Sequence, residues 1–128
     1  MATRDDRWLD VLPLVVLVAI GAVVALYGLS SFWDDDVPRD AQVILGTFGV
    51  GMAIYGIALT LTGLRRGDRW SWFALWYYPV FFVVHVLAFG EVVIDLGLAF
   101  VSAVALLLAA RGVFSRGDPA VEPARRLH

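Results

Sequence analysis

The chain has 128 residues, of which 60% are apolar or aromatic and 17% charged, with a mean hydropathy of +0.78. A soluble domain of this size would be about half apolar and about a quarter charged, so water alone is the wrong solvent for it. Four membrane spans of about 20 residues use about 80, which leaves no room for a second domain. The absence of cysteine excludes disulfides, thiolate zinc sites, iron–sulfur clusters and thiol catalysis. A net charge of −2 without a basic stripe argues against nucleic acid as a partner.

In chain order, residues 11–32, 41–64, 71–89 and 92–111 read as spans. The first two carry no charge, the third carries His85, and the fourth carries Asp95 and, at its last position, Arg111. The connectors are only a few residues long, which predicts an all-α antiparallel up-and-down bundle of four transmembrane helices. Arg4 and Arg7 before an apolar stretch also describe a signal peptide. The first run is longer than the roughly 7 to 15 apolar residues of a signal, and Trp33 supplies an interfacial anchor. Asp40 is expected as an N-cap, Pro13 in a first helical turn, and Gly90 as the left-handed residue closing the third helix. Residues 1–114 form the transmembrane domain in this reading, and 115–128, rich in proline and charge, a disordered tail.

Arginine counting fixes the direction. Arg4, Arg7, Arg65, Arg66, Arg69, Arg111, Arg116, Arg125 and Arg126 fall on one side, and Arg39 alone on the other. The positive-inside rule then places both termini in the cytoplasm and the protein in the inner membrane. Such an imbalance argues against exporters and channels that insert in both orientations, and the first span lacks the glutamate of small multidrug exporters.

Within the second span Gly46, Gly49, Ala53, Gly56, Thr60 and Gly63 recur at helical spacing. A seam of small residues lets a neighbouring backbone approach closely, and in lipid such contact drives helix association. The seam either closes the bundle or faces another copy in a homodimer; Ile57, one position round, is expected off it. The third span is dense in aromatics from Trp70 to Phe89. An aromatic belt beside the arginines explains its first turns. Pro79 removes the donor for the Leu75 carbonyl and predicts a kink. A kink beside aromatics can open a cavity for an apolar, lipid-like ligand.

His85 and Asp95 are the ionisable groups well inside the spans, and such groups are candidate sites by default. His85 lies five residues before Gly90 and Asp95 five after, hence at equal depth, roughly 7.5 Å from the hairpin tip. Tyr78 and Ser102 are each twelve residues from Gly90, on the faces of His85 and Asp95. Glu91 stands at the mouth. Together these predict a polar ladder that can be structural, can handle a proton or cation, or can serve as general acid or base on a lipid-phase substrate. One histidine and two carboxylates are too few for a metal centre, and no cofactor motif is present.

The stretch Gly63-Leu64-Arg65-Arg66-Gly67-Asp68-Arg69-Trp70-Ser71-Trp72 resembles uncharacterised small four-helix integral membrane proteins of GC-rich bacteria, over the second and third spans. A looser similarity in size and in acid and histidine placement links it to DoxX-like and sterol-isomerase-like proteins. Neither resemblance implies a functional residue. The sequence therefore reads as a polytopic membrane protein acting as a helix-packing or interaction module. The alternative is a small proton- or cation-linked carrier, or a lipid-phase enzyme, using His85 and Asp95.

Overall fold

The computed structural model describes residues 4–90 and 92–115. Helix α1 spans Arg4–Ser30, α2 Arg39–Thr62, α3 Arg69–Leu75, α4 Tyr77–Phe89 and α5 Val92–Ser115, with single 3-10 turns at Ser31–Trp33 and Leu64–Arg66. No strand occurs among the described residues. Asp10–Trp33, Arg39–Arg66, Arg69–Ala88 and Val92–Ser115 are each long and apolar enough to cross a membrane. In hydrocarbon a helix satisfies every backbone group within its own segment, which is the physical reason uninterrupted apolar runs of this length take this form. The sequence-expected tail lies almost wholly outside the described residues.

Sequence chemistry explains the boundaries. The third apolar run is split in two at Trp76, because Pro79 has no N–H for the Leu75 carbonyl. Around the break the Trp76 amide donates to Phe73 O at 3.2 Å and the Val80 amide to Trp76 O at 3.3 Å. Asp68 caps α3, its carboxylate accepting from the amides of Trp70 and Ser71, each at 3.2 Å, and from the Ser71 hydroxyl at 2.6 Å. Gly90 closes α4 with φ 79° and ψ 7°, a left-handed conformation that glycine adopts without a Cβ penalty.

Two expected caps are corrected. Helix α2 begins at Arg39 with Pro38 as its N-cap, so Asp40 sits in the first turn, where an anion still favours the helix dipole. Helix α1 begins nine residues before Pro13, which is therefore inside it. Its ring is fully buried, and the Leu9 carbonyl loses its usual donor.

Helix α1 packs along α2 and along α5, α4 packs on α5, and α3 touches both α2 and α5. Helix α4 has no comparable pairing with α2. The core lies between these elements, with Leu17, Ala53, Leu75, Tyr78 and Leu106 at or near zero exposure, while Leu26, Ile44, Ile54, Leu87, Val93 and Phe100 stand on the outside. An apolar exterior around a packed apolar interior is the surface expected of helices solvated by lipid.

The small-residue seam of α2 is filled from within the chain. A Cβ on Gly46 would strike the Phe32 ring, and one on Gly49 would lie 2.8 Å from Gly28 Cα. One on Gly56 would collide with the Tyr77 and Tyr78 hydroxyls, and one on Gly63 with Ser71. Ala53 and Thr60 complete the row at zero exposure, Thr60 donating to Gly56 O at 2.8 Å. The contact is wider than the seam, since a Cβ on Gly21 would be 2.6 Å from Ile57. Ile57 therefore packs against α1 and is not off the interface.

Candidate functional site

His85 projects from the last turns of α4 and Asp95 from the first turn of α5. The turn at Gly90 brings His85 Nδ1 within 2.6 Å of Asp95 Oδ2. The two side chains are 19% and 11% exposed. Phe81 stacks on the imidazole with ring centroids 5.8 Å apart, and Tyr27 of α1 meets it edge-on at 6.3 Å. The α5 dipole favours the carboxylate at that position. A hydrogen bond between an imidazole and a carboxylate gives each a partner, and either would be costly alone in hydrocarbon. Such a pair can hold or release a proton. Among the described residues no cluster of three or more His, Cys, Asp or Glu side chains could hold a metal ion.

The other expected members of the ladder do not extend this pair. Tyr78 is wholly buried, but its hydroxyl reaches the backbones of Gly21 and Gly56 and has no hydrogen-bond partner of normal geometry. Ser102 is also wholly buried and donates within its own helix to Ala99 O at 2.9 Å. Equal distance from Gly90 gives equal depth, yet a tyrosine is long enough to cross to α1 and α2 while a serine is satisfied by the preceding turn. Glu91 lies outside the described residues.

A second feature was visible in the sequence only as an aromatic kink. Where α4 stands off from α2, a groove of about 1100 Å³ opens along their flanks. From α2 it is lined by Val43, Ile44, Thr47, Phe48, Gly51, Met52 and Tyr55, and from α3 and α4 by Ala74, Tyr77, Val80, Phe81 and Val84. Positions 77, 80, 81 and 84 form one helical stripe. That stripe was in the sequence; its lack of a facing helix was not. Tyr77 stands across the groove wall, donating to Met52 O at 2.8 Å, with its ring tilted against that of Tyr78, centroids 4.4 Å apart. Phe81 is shared, its ring lining the groove and stacking on His85. A smaller recess, about 200 Å³, lies at the arginine-rich end among Asp10, Leu64, Arg65 and Gly112.

The remaining aromatics of the third run have structural partners. Trp72 donates from Nε1 to Leu106 O at 2.7 Å and meets Phe73, Trp76 and Phe114 edge-on, which ties α3 to α5. In the α1–α2 connection, Arg39 donates to Phe32 O at 3.3 Å and to Gln42 Oε1 at 3.0 Å, while buried Gln42 donates to Asp34 O. This loop network, built on a glutamine inside an apolar run, went unread in the sequence. No family model, curated protein or solved structure matches the chain.

Proposed function

We propose that the protein is a multi-pass inner-membrane interaction module whose working surface is the groove between α2 and α4, and that the groove takes an apolar, lipid-like molecule from the bilayer. The observation that carries this reading is the contrast in packing: every seam glycine of α2 is covered by the chain itself, whereas the α2/α4 flank is open and apolar. In lipid, tight association needs small residues and close backbones. A flank lined by Phe48, Tyr55, Tyr77 and Phe81 lacks them and suits a flexible or flat apolar guest. The contacts of α1 with α2 run in reverse order, Gly21 at Ile57, Gly28 at Gly49 and Phe32 at Gly46, which supports the antiparallel bundle. The nine-to-one arginine split supports cytoplasmic termini. Reporter fusions after Arg69 and His128 are expected to read cytoplasmic, and one after Val37 external.

The test is retention. The full chain extracted in mild detergent should carry a stoichiometric apolar molecule detectable by mass spectrometry. Gly51→Leu should lose it while keeping the helical spectrum, because a Cβ at Gly51 meets nothing within 4 Å and a larger side chain there projects into the groove. A preparation in which the groove instead buries a second copy, giving a dimer that Gly51→Leu dissolves, would replace the ligand reading by a homodimer through the second span. A carrier or lipid-phase enzyme at His85 and Asp95 remains the second reading, favoured by their 2.6 Å contact.

A further inference from the structure

Resting on the groove reading for the site, we propose that the α2/α4 groove recognises a neutral flat ring bearing carbonyl oxygens, a quinone-type molecule, through the hydroxyls of Thr47 and Tyr55. Thr47, Gly51 and Tyr55 are spaced by four, so they share one face of α2, and all three line the groove. A Cβ on Gly51 would meet nothing within 4 Å, which leaves a notch at the backbone between two hydroxyl-bearing side chains. Gly51 is twelve residues beyond Arg39 and fifteen before Arg66, the two ends of the span, so the notch is near its middle. Tyrosine favours the headgroup level, and an aromatic belt does not account for Tyr55 at this depth.

Hydrogen bonding sets these two hydroxyls apart. Thr60 and Thr62, on the same helix, each donate to the carbonyl one turn back, at 2.8 and 2.6 Å, which satisfies a helical threonine without any neighbour. Thr47 makes no such bond, and neither it nor Tyr55 has a hydrogen-bond partner among the described residues. Tyr77, in contrast, commits its proton to Met52 O. Thr47 and Tyr55 are both exposed, and lipid tails offer their hydroxyls nothing, a cost that a carbonyl oxygen removes. The charge of the guest follows from the walls. No Asp, Glu, Lys, Arg or His lines the groove, so an ionised guest would stand unpaired in hydrocarbon. Its shape follows from the opposite side, where Tyr77 and Phe81, also four apart, line the groove with rings against which a flat guest packs. About 12 Å of helix axis separates Thr47 from Tyr55, which accommodates one ring with an oxygen directed to each. An acyl chain fills the same volume but leaves both hydroxyls unpaired.

Binding is read with the full chain immobilised in detergent micelles loaded with decyl-para-benzoquinone or with decylbenzene, which has the same tail and a ring without oxygens. Bound probe is counted by mass spectrometry against resin without protein. The quinone should bind saturably and about tenfold or more tightly than decylbenzene, the effect of two ordinary hydrogen bonds, and Gly51→Leu should block both probes. Thr47→Val and Tyr55→Phe should each weaken quinone binding about threefold or more and leave decylbenzene unchanged. Both positions are exposed, so the helical spectrum and unfolding midpoint of the parent should be kept. Thr47→Ser, which retains the hydroxyl, should retain the affinity. Equal affinity for the two probes, or a quinone affinity that both Thr47→Val and Tyr55→Phe leave at the parent value, overturns the recognition; decylbenzene binding that Gly51→Leu blocks then leaves the groove reading standing. Quinone that stays bound in Gly51→Leu lies outside the groove, and overturns the groove reading and the recognition together.

Discussion

The two flanks of α2 are made of the same helix and obey opposite packing rules. On one side Gly46, Gly49, Gly56 and Gly63 let Phe32, Gly28, the tyrosine pair and Ser71 come so close that no Cβ fits. On the other side Gly51 faces open space, and Phe48 and Tyr55 stand exposed beside a groove. Glycine content alone does not mark an interface in this helix; phase does. Where the glycines coincide with large side chains from a neighbour, as Gly56 does with Tyr77 and Tyr78, the bundle closes. Where bulky residues face bulky residues, it stays open.

The sharpest way to break this comparison is to make one substitution on both flanks. Gly56→Leu must displace two tyrosine side chains from a filled site, and overpacking of this kind should cost about 3 kcal/mol or more. Gly51→Leu enters empty space and gains roughly 0.8 kcal/mol of helix propensity, so its unfolding midpoint in detergent should equal or exceed that of the parent. Similar losses at both positions would mean that the flanks do not differ.

The same comparison separates what the sequence displayed from what it hid. Span lengths were legible because a charge-free apolar run has one solution in hydrocarbon. The meeting of His85 with Asp95 could be anticipated because a two-residue connection between α4 and α5 leaves little freedom in register. The fate of Tyr78 could not, since depth arithmetic ignores side-chain reach, and its length carries it across the core to Gly21 and Gly56. The groove was hidden for a related reason. The stripe at 77, 80, 81 and 84 reads as a packing face, and only the whole arrangement shows that α2 does not fill it. The start of α1 at Arg4 moved Pro13 from a first turn to a helix interior, because charged residues before the span extend the helix.

A smaller effect sharpens the closed side. Trp72→Phe keeps an aromatic side chain but trims the indole and deletes the donor to Leu106 O, and hydrogen bonds between membrane helices average about 0.6 kcal/mol. The loss should be at least of that order, measured by unfolding in mixed micelles, and should leave retention of a groove ligand unchanged.

The smallest effect lies at the α3 cap, outside both flanks. The Ser71 hydroxyl, helped by the Trp70 and Ser71 amides, holds the Asp68 carboxyl below its usual range. A carboxyl lowered on folding contributes stability that is fully present above the unfolded value of about 3.9 and fades as pH falls through the folded one. Thermal melts should therefore show a slight loss on the acid side, and Asp68→Ser, which caps without titrating, should lack that component. An identical acid slope in both proteins would mean that the cap carries no charge effect.

The central claim is that the α2/α4 groove holds a particular apolar molecule. A photoreactive amino acid at Phe48, in the groove, is compared in native membranes with the same group at Val93, which is 87% exposed on α5 and outside it. Bulk phospholipid should react at both positions. The account predicts one additional small-molecule adduct, enriched at Phe48 and absent at Val93. Identical adduct spectra at the two positions, or a Phe48 adduct consisting of a second copy of the chain, would contradict it.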